Sequence, residues 1–342
     1  MRPFIKILII LCLALYNQFI YSFNEQDTIH VAFWNVENLF DTIDDPLKQD
    51  EEFLPTSEKE WTPERLEDKM FKLSRIILNM NNDRGPDVLG LCEVENENVL
   101  SEMVNKYLNN YNIAYRESPD NRGIDVGLIF KKNIFELVEI NADTVHLPDR
   151  YPTRLILNVK LKLISNGEEF SFYINHWPSR RGGEETSEKN RIAAGLTLRN
   201  FVDKNLKLNS REKIILMGDF NDEPNNKSIT EALRAIPLYC DSLSNPSQNT
   251  IYNTSYKTKM DGVGSFKYRE FWNLIDQFMV SSELVYGSGY VYDCGSFEVL
   301  KPELMVTKSG NFKGAPFPTY GGKRYLGGYS DHFPIEIRII KK

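Results

Sequence analysis

The sequence predicts one large α/β domain. Short strand-like apolar runs and amphipathic helical segments are mixed from Ile29 to Ile340. No repeat with a period of about 20–50 residues is present, and no proline- or serine-rich linker divides the chain. With 342 residues, 41% of them hydrophobic and 12% aromatic, there is enough apolar material for a sizeable core. Charged residues make up 26%, an ordinary share for a globular protein, which argues against general disorder.

The elements follow in chain order. Arg2 and Lys6 precede the apolar run Ile7 to Tyr16, and a small residue, Ser22, ends the segment. This predicts a signal peptide over residues 1–22 and a mature domain over 23–342, exported to the periplasm or the exterior. The run is too short to span a bilayer comfortably, which takes roughly 20 apolar residues; a retained anchor is the competing reading, and no membrane insertion is expected once the leader is removed. Ile29 to Trp34 reads as a strand. Thr62-Pro63 opens a helix in which Leu66, Met70, Leu73, Ile77 and Met80 recur at helical spacing, and Gly85-Pro86 stops it. Asp87 to Cys92 is a buried strand, Val99 to Leu108 a helix, and Ile124 to Phe130 a strand.

Leu155 to Leu163 and Phe170 to Ile174 flank the turn Ser165-Asn166-Gly167 and predict a hairpin. Glu185 to Asn200 is helical, Ile214 to Met217 is an apolar strand, and Leu274 to Val280 and Pro334 to Ile340 complete the set. Thr42 to Glu60 reads as an acidic surface loop. Lys301 to Gly328, rich in Gly, Pro and Tyr, reads as a long ordered loop near the functional site. No aromatic hairpin of the membrane-inserting kind is evident.

The formal charge is −7, and losing Arg2 and Lys6 with the leader makes the chain more acidic still. Such a chain has no general attraction to nucleic acid, which disfavours a sequence-specific DNA-binding module. A metal-assisted hydrolase, whose site needs carboxylates, remains compatible. Four cysteines occur. Cys12 falls in the leader, and Cys92 sits in an apolar run and is expected to be a buried thiol. Cys240 and Cys294 could pair, although spacing alone does not show it. No cysteine pattern resembles a zinc site.

Polar residues gather at the predicted strand ends. Asn35 follows Trp34, Glu93 follows Cys92, and Asn175-His176 follows Ile174. Gly218-Asp219-Phe220-Asn221-Asp222 follows the apolar strand, Asp276 follows Leu274-Ile275, and Ser330-Asp331-His332 precedes the last strand. Taken singly, each is more often a turn or cap residue. Gathered from distant segments, they are how a scaffold assembles one site. Of the four histidines, His30 and His146 read as structural.

With these motifs in this order, the sequence resembles the endonuclease/exonuclease/phosphatase superfamily. The phrases Asn35-Val36-Glu37-Asn38-Leu39-Phe40-Asp41 and Asn175-His176-Trp177-Pro178-Ser179-Arg180 are most similar to a branch of predicted extracellular nucleases. The resemblance covers nearly the whole mature chain. It implies a four-layer α/β sandwich, with two packed mixed β-sheets flanked by helices.

It also implies a divalent-metal-dependent phosphodiesterase using Mg²⁺, with Mn²⁺ or Ca²⁺ as alternatives, held by Glu93, Asn35 and Asp331. Hard cations take oxygen ligands, so these residue types suit the role. Asp219 and Asn221 would lie across the scissile phosphate. His176 and His332 would act as a general acid–base pair, with Asp276 orienting His332 and Asp125 orienting His176. Arg180 and Arg181, beside His176, are candidates for binding substrate phosphate. Arg154 and Arg191 could as easily make structural ion pairs, and surface packing is the default for Tyr320, Tyr325 and Tyr329. The expected substrate is DNA or RNA, and no obligate protein partner is expected. The alternatives are a phosphatase or phosphodiesterase for small phosphoesters or lipid headgroups, and, more remotely, a non-catalytic binding module.

Overall fold

The computed structural model describes residues 28–242 and 249–342. The expected leader and Cys12 lie outside these residues. The first strands are β1 (Thr28–Leu39), β2 (Val88–Val94), β3 (Tyr111–Tyr115), β4 (Asp125–Lys131) and β5 (Phe135–Asp143). Then follow β6 (Ile156–Leu163), β7 (Glu169–His176), β8 (Ile214–Asp219), β9 (Ala235–Pro237) and β10 (Ile251–Asn253). The short β11 (Phe266–Tyr268) and β12 (Phe271–Asn273) precede β13 (Asp276–Ser281), β14 (Tyr290–Tyr292) and β15 (Glu298–Val299). The last are β16 (Tyr320–Gly321), β17 (Arg324–Tyr325) and β18 (Ile335–Lys341).

Two seven-stranded sheets result. One has the order β14-β18-β1-β2-β4-β3, with β15 also on β18, and the other runs β5-β6-β7-β8-β13-β10-β9. Both are mixed, because β1–β2, β7–β8 and β9–β10 pair in parallel among antiparallel neighbours. Strand β8 shows why the chain reads as apolar runs. Its Ile215 and Met217 join the core shared with Phe33 and Leu89 of the other sheet, while Ile214 and Leu216 pack with Leu198 and Val202. A strand covered on both faces has no polar side to alternate with. Gly90 lets the sheets approach, since a Cβ there would lie 3.0 Å from the Met217 side chain.

Helices α1 (Pro63–Asp83) and α2 (Glu97–Tyr107) cover the first sheet, and α3 (Glu184–Leu208) covers the second. The molecule is thus the expected four-layer sandwich. Thr62 caps α1 through its hydroxyl, and Pro63 occupies the first turn. Asn81 and Asn82 adopt left-handed backbone, so regular helix ends before the Gly85-Pro86 stop.

Several expectations are corrected. Thr42 to Glu60 is not simply a surface loop, because Phe53 is buried and stacks on Phe40 at 4.1 Å between ring centroids. Strand β5 escaped the sequence reading because most of it is exposed and carries no clean alternation. A short aromatic hairpin that the sequence did not reveal is also present, and its membrane behaviour is a separate matter: β11 pairs with β12 through only three residues each, too short for a period to register. Lys301 to Gly328 is ordered, as expected. Cys240 and Cys294 form a disulfide, and Cys92 is a buried free thiol. No helix among the described residues is long and apolar enough to cross a membrane.

Candidate active site

The sheet registers bring the site together. His176 pairs with Asp219 across β7–β8, and Asp276 pairs with Asp219 across β8–β13, so the three occupy neighbouring positions on adjacent strands. In the facing sheet, β1 and β2 carry irregularities beyond Asn35 and Cys92. Glu37, Asn38 and Glu93 there have positive φ angles of 51°, 55° and 62°. A bulge bends a strand and re-aims its side chains. Strain of this kind at three non-glycine residues is held in place by their surroundings and collects at functional sites.

Asn35 is buried and links the two sheets. Its Nδ2 donates to Glu93 Oε1 at 3.3 Å and to Asp219 Oδ2 at 3.1 Å. Its Oδ1 accepts the Glu37 backbone N–H at 2.9 Å. In this orientation Asn35 turns a donor toward the carboxylates, so it bridges them and the expected ligand oxygen points away. Glu93 Oε2 accepts the Asn38 N–H at 3.0 Å.

Two imidazoles flank Asp219. His176 Nε2 lies 3.9 Å from Asp219 Oδ2 and 3.9 Å from Glu93 Oε1. His332 Nε2 lies 4.0 Å from the same Asp219 oxygen and 3.9 Å from Asp331 Oδ1. The Nδ1 of His332 donates to Asp276 Oδ2 at 2.7 Å, as the resemblance implied. Asp125 does not orient His176. Its carboxylate is taken by the Tyr115 hydroxyl and by Ser118, and His176 Nδ1 has no hydrogen-bond partner among the described residues.

The backbone holds His176 instead. The Arg154 guanidinium donates to His176 O at 3.1 Å and Trp177 O at 2.6 Å, and pairs with buried Asp120 at 3.1 Å. This confirms the ion-pair reading of Arg154.

The remaining expectations divide. Arg180 spends its donors on Asn221 O at 2.7 Å, Glu184, Asp222 and Asn226, so it braces the Asp219–Asp222 turn and is not free for a phosphate. Arg191 is fully buried against Asp222 at 2.6 Å, a structural pair. Arg181 is exposed. Asn221 donates to Trp177 O at 3.0 Å.

Lys69 and Glu37 were missed. Lys69 is 1% exposed and donates to Thr319 Oγ1 and Tyr329 O, while Glu37 accepts the Thr319 and Tyr320 N–H groups. Together they fasten the segment that leads into Ser330-Asp331-His332. A lysine amid the apolar stripe of Leu66, Met70 and Leu73 was the available signal.

Electrostatics separates the two histidines. Burial lowers the His176 imidazole well below its usual value, helped by the charges of Arg154, Arg122 and His332. Burial opposes charge on His332 too, but Asp276, Asp331 and Asp219 outweigh it and hold that imidazole well above its usual value. Asp219 is raised to about 7 by burial and by the Asp276 charge.

Two donor sets could receive a cation. Asp219, Asp276 and His332 bring ligand atoms within 4.8 Å of one another. An ion there would have to displace the 2.7 Å His332–Asp276 bond, and the Asp219 and Asp276 side chains are only 3% and 1% exposed. Glu93 and Asp331 keep 19% and 43% of their side chains open to solvent. They fit a hard divalent ion better, being oxygen donors that a solvated ion can reach.

A linkage prediction follows. A carboxylate with a raised folded-state pKa contributes stability below its unfolded value of about 4, and that stability is lost as pH rises through the folded value. Metal-free protein is therefore expected to lose thermal stability between pH 5 and pH 8 as Asp219 ionises near 7. Mg²⁺ is expected to raise Tm more at pH 8 than at pH 5, as measured by scanning calorimetry. Equal shifts at both pH values would count against a cation beside these carboxylates.

Carboxylates and paired imidazoles at the open ends of two packed sheets are the equipment of a phosphoester hydrolase. The Endonuclease/Exonuclease/phosphatase family model matches residues 30–341, and the chain belongs to that family. Its members are metal-dependent phosphoester hydrolases. No curated protein matches the chain.

Among solved structures, the human nocturnin catalytic domain with bound sulfate is 18% identical. It has a TM-score of 0.54 and covers 91% of this chain and 94% of its own. A Bacteroides thetaiotaomicron mannosyl-6-phosphatase is 16% identical with a TM-score of 0.55, covering 91% and 99%. Danio rerio TDP2 complexed with single-strand DNA product is 14% identical with a TM-score of 0.55, covering 91% and 98%. At these identities the likeness is one of fold.

Proposed function

We propose that the chain is an exported, divalent-metal-dependent phosphodiesterase that cleaves DNA or RNA. The observation that carries this reading is the placement of His176 and His332 on either side of Asp219, each about 4 Å from the same oxygen. Glu93 and Asp331 would hold Mg²⁺ or Mn²⁺, with Ca²⁺ a further option, and Asn35 would fix the Glu93 carboxylate. A divalent ion bound there would polarise the phosphoryl oxygen and offset charge developing in the displacement.

The chain's own residues do the rest. His176, kept neutral by burial, takes a proton from the attacking water, which Asp219 orients. As the new P–O bond forms and the bond to the leaving oxygen breaks, His332 gives that oxygen its proton. Asp276 keeps His332 protonated and correctly turned.

The leader-like N-terminus and the Cys240–Cys294 disulfide both support export, since disulfides persist in oxidising compartments. Nucleic acid as substrate draws support from the fold shared with the DNA-bound TDP2. A small phosphoester is the second reading. The net charge of −7 and the internal commitment of Arg180 favour it, as does the fold shared with a mannosyl-6-phosphatase.

The test is to incubate the protein with supercoiled plasmid, single-stranded RNA and bis-p-nitrophenyl phosphate, in Mg²⁺ or Mn²⁺, with and without EDTA. EDTA-sensitive nicking or RNA cleavage is the expected result. Turnover of the small ester alone would move the substrate to small phosphoesters. No reaction with any of the three would revive the binding-module reading.

A further inference from the structure

The hairpin β11–β12 grows directly out of the site. Its base is Ser265, which donates to Asp276, and Phe266, whose ring stacks on His332 at 4.7 Å between centroids and 24° between planes. Successive side chains of a strand point to opposite faces. Phe266, Tyr268 and, across the pairing, Phe271 therefore share one face, while Lys267 and Trp272 share the other. That face starts against a proposed catalytic imidazole and runs out into solvent, where Tyr268 is 57% and Phe271 73% exposed. One strand step of two residues carries it about 7 Å beyond Phe266.

One cation accompanies it: Arg269 lies over the Tyr268 ring at 5.2 Å. On the opposite face of the hairpin, Lys267 and Lys301 lie over Trp272 at 5.9 Å and 5.1 Å. Large aromatic rings left open beside a hydrolytic site, with Arg269 over one of them and two lysines on the reverse of the hairpin of an acidic protein, match a polyanion that also presents flat rings. A bilayer fits less well, because the tip residues Arg269 and Glu270 are both charged and would have to leave water first.

We propose that the Tyr268–Phe271 face is a stacking subsite for a base next to the scissile phosphate of single-stranded nucleic acid, with Arg269 meeting a flanking phosphate. The inference rests on the nuclease reading and specifies the strand state and the contact. Aromatic platforms beside basic groups are how proteins hold single strands without reading sequence.

The experiment compares Phe271→Ala, the double variant Tyr268→Ala/Phe271→Ala, and Phe271→Trp. Hydrolysis of a short oligothymidylate and of bis-p-nitrophenyl phosphate is measured, along with sedimentation with phosphatidylcholine/phosphatidylserine vesicles. The alanine variants are expected to raise KM for the oligonucleotide by about 5- to 100-fold, leaving kcat and small-ester turnover unchanged. Phe271→Trp is expected to keep KM near the parent value. Both rings are exposed, so folding should be preserved.

An unchanged oligonucleotide KM in the double variant overturns the proposal, and so does hairpin-dependent binding to vesicles with that KM unmoved. A parent protein that hydrolyses the small ester but no oligonucleotide overturns the nuclease reading, and the stacking subsite falls with it. That result shows in the parent alone and is separable from failure of the hairpin.

Discussion

Replacing His176 or His332 with alanine is expected to lower kcat by about 10²–10⁴-fold, the usual worth of a positioned acid or base. The Mg²⁺-induced rise in Tm should remain, because neither residue is needed for the Glu93–Asp331 donor pair. The two histidines should also part in their pH behaviour. The base must be neutral, so activity falls as pH drops below the depressed His176 value. The acid must be protonated, so activity falls as pH rises above the elevated His332 value. Asp276→Asn removes the nearest charge supporting the imidazolium. It is expected to move the alkaline limb of the kcat profile to lower pH and leave the acid limb in place. Near-normal turnover in His176→Ala, or an unmoved alkaline limb in Asp276→Asn, would refute the acid–base assignment.

Arg154→Met is expected to destabilise the protein by about 3–5 kcal/mol, the range for breaking a buried ion pair from one side. Arg154 and Asp120 are each 6% exposed in their side chains, and the substitution leaves Asp120 with the Arg122 backbone N–H at 3.0 Å and the half-exposed Arg122 guanidinium at 3.6 Å. It also removes the guanidinium donor from the His176 carbonyl and leaves the Trp177 carbonyl to Asn221. Arg181→Ala, at an exposed position, should change stability by less than about 0.5 kcal/mol. Urea denaturation followed by tryptophan fluorescence measures both. A small effect at Arg154 would show that this guanidinium is not what fixes the turn after β7.

By itself, the sequence determined the chain of strands and helices wherever burial leaves a strong local trace. β8 reads from its apolar run, α1 from its three- and four-residue spacing, and the β6–β7 hairpin from its Asn-Gly turn. It also placed Asn35, Glu93, His176, Asp219, Asp276 and His332, because each follows or borders a strand in a recognisable order, and the structure gathers them into one site.

Tertiary structure alone decided what each group touches. Asp125 and Asp276 are both carboxylates at strand ends, yet only Asp276 reaches a histidine. The register of β8 with β13 puts Asp276 beside Asp219, while Tyr115 and Ser118, neighbours of Asp125, saturate its oxygens. Arg180 likewise reads as a free cation until its acceptors, most of them distant in sequence, are brought alongside. A residue's burial and periodicity are written in its neighbours along the chain. Its hydrogen-bond partners are set by pairing registers between segments far apart, and no local pattern encodes them.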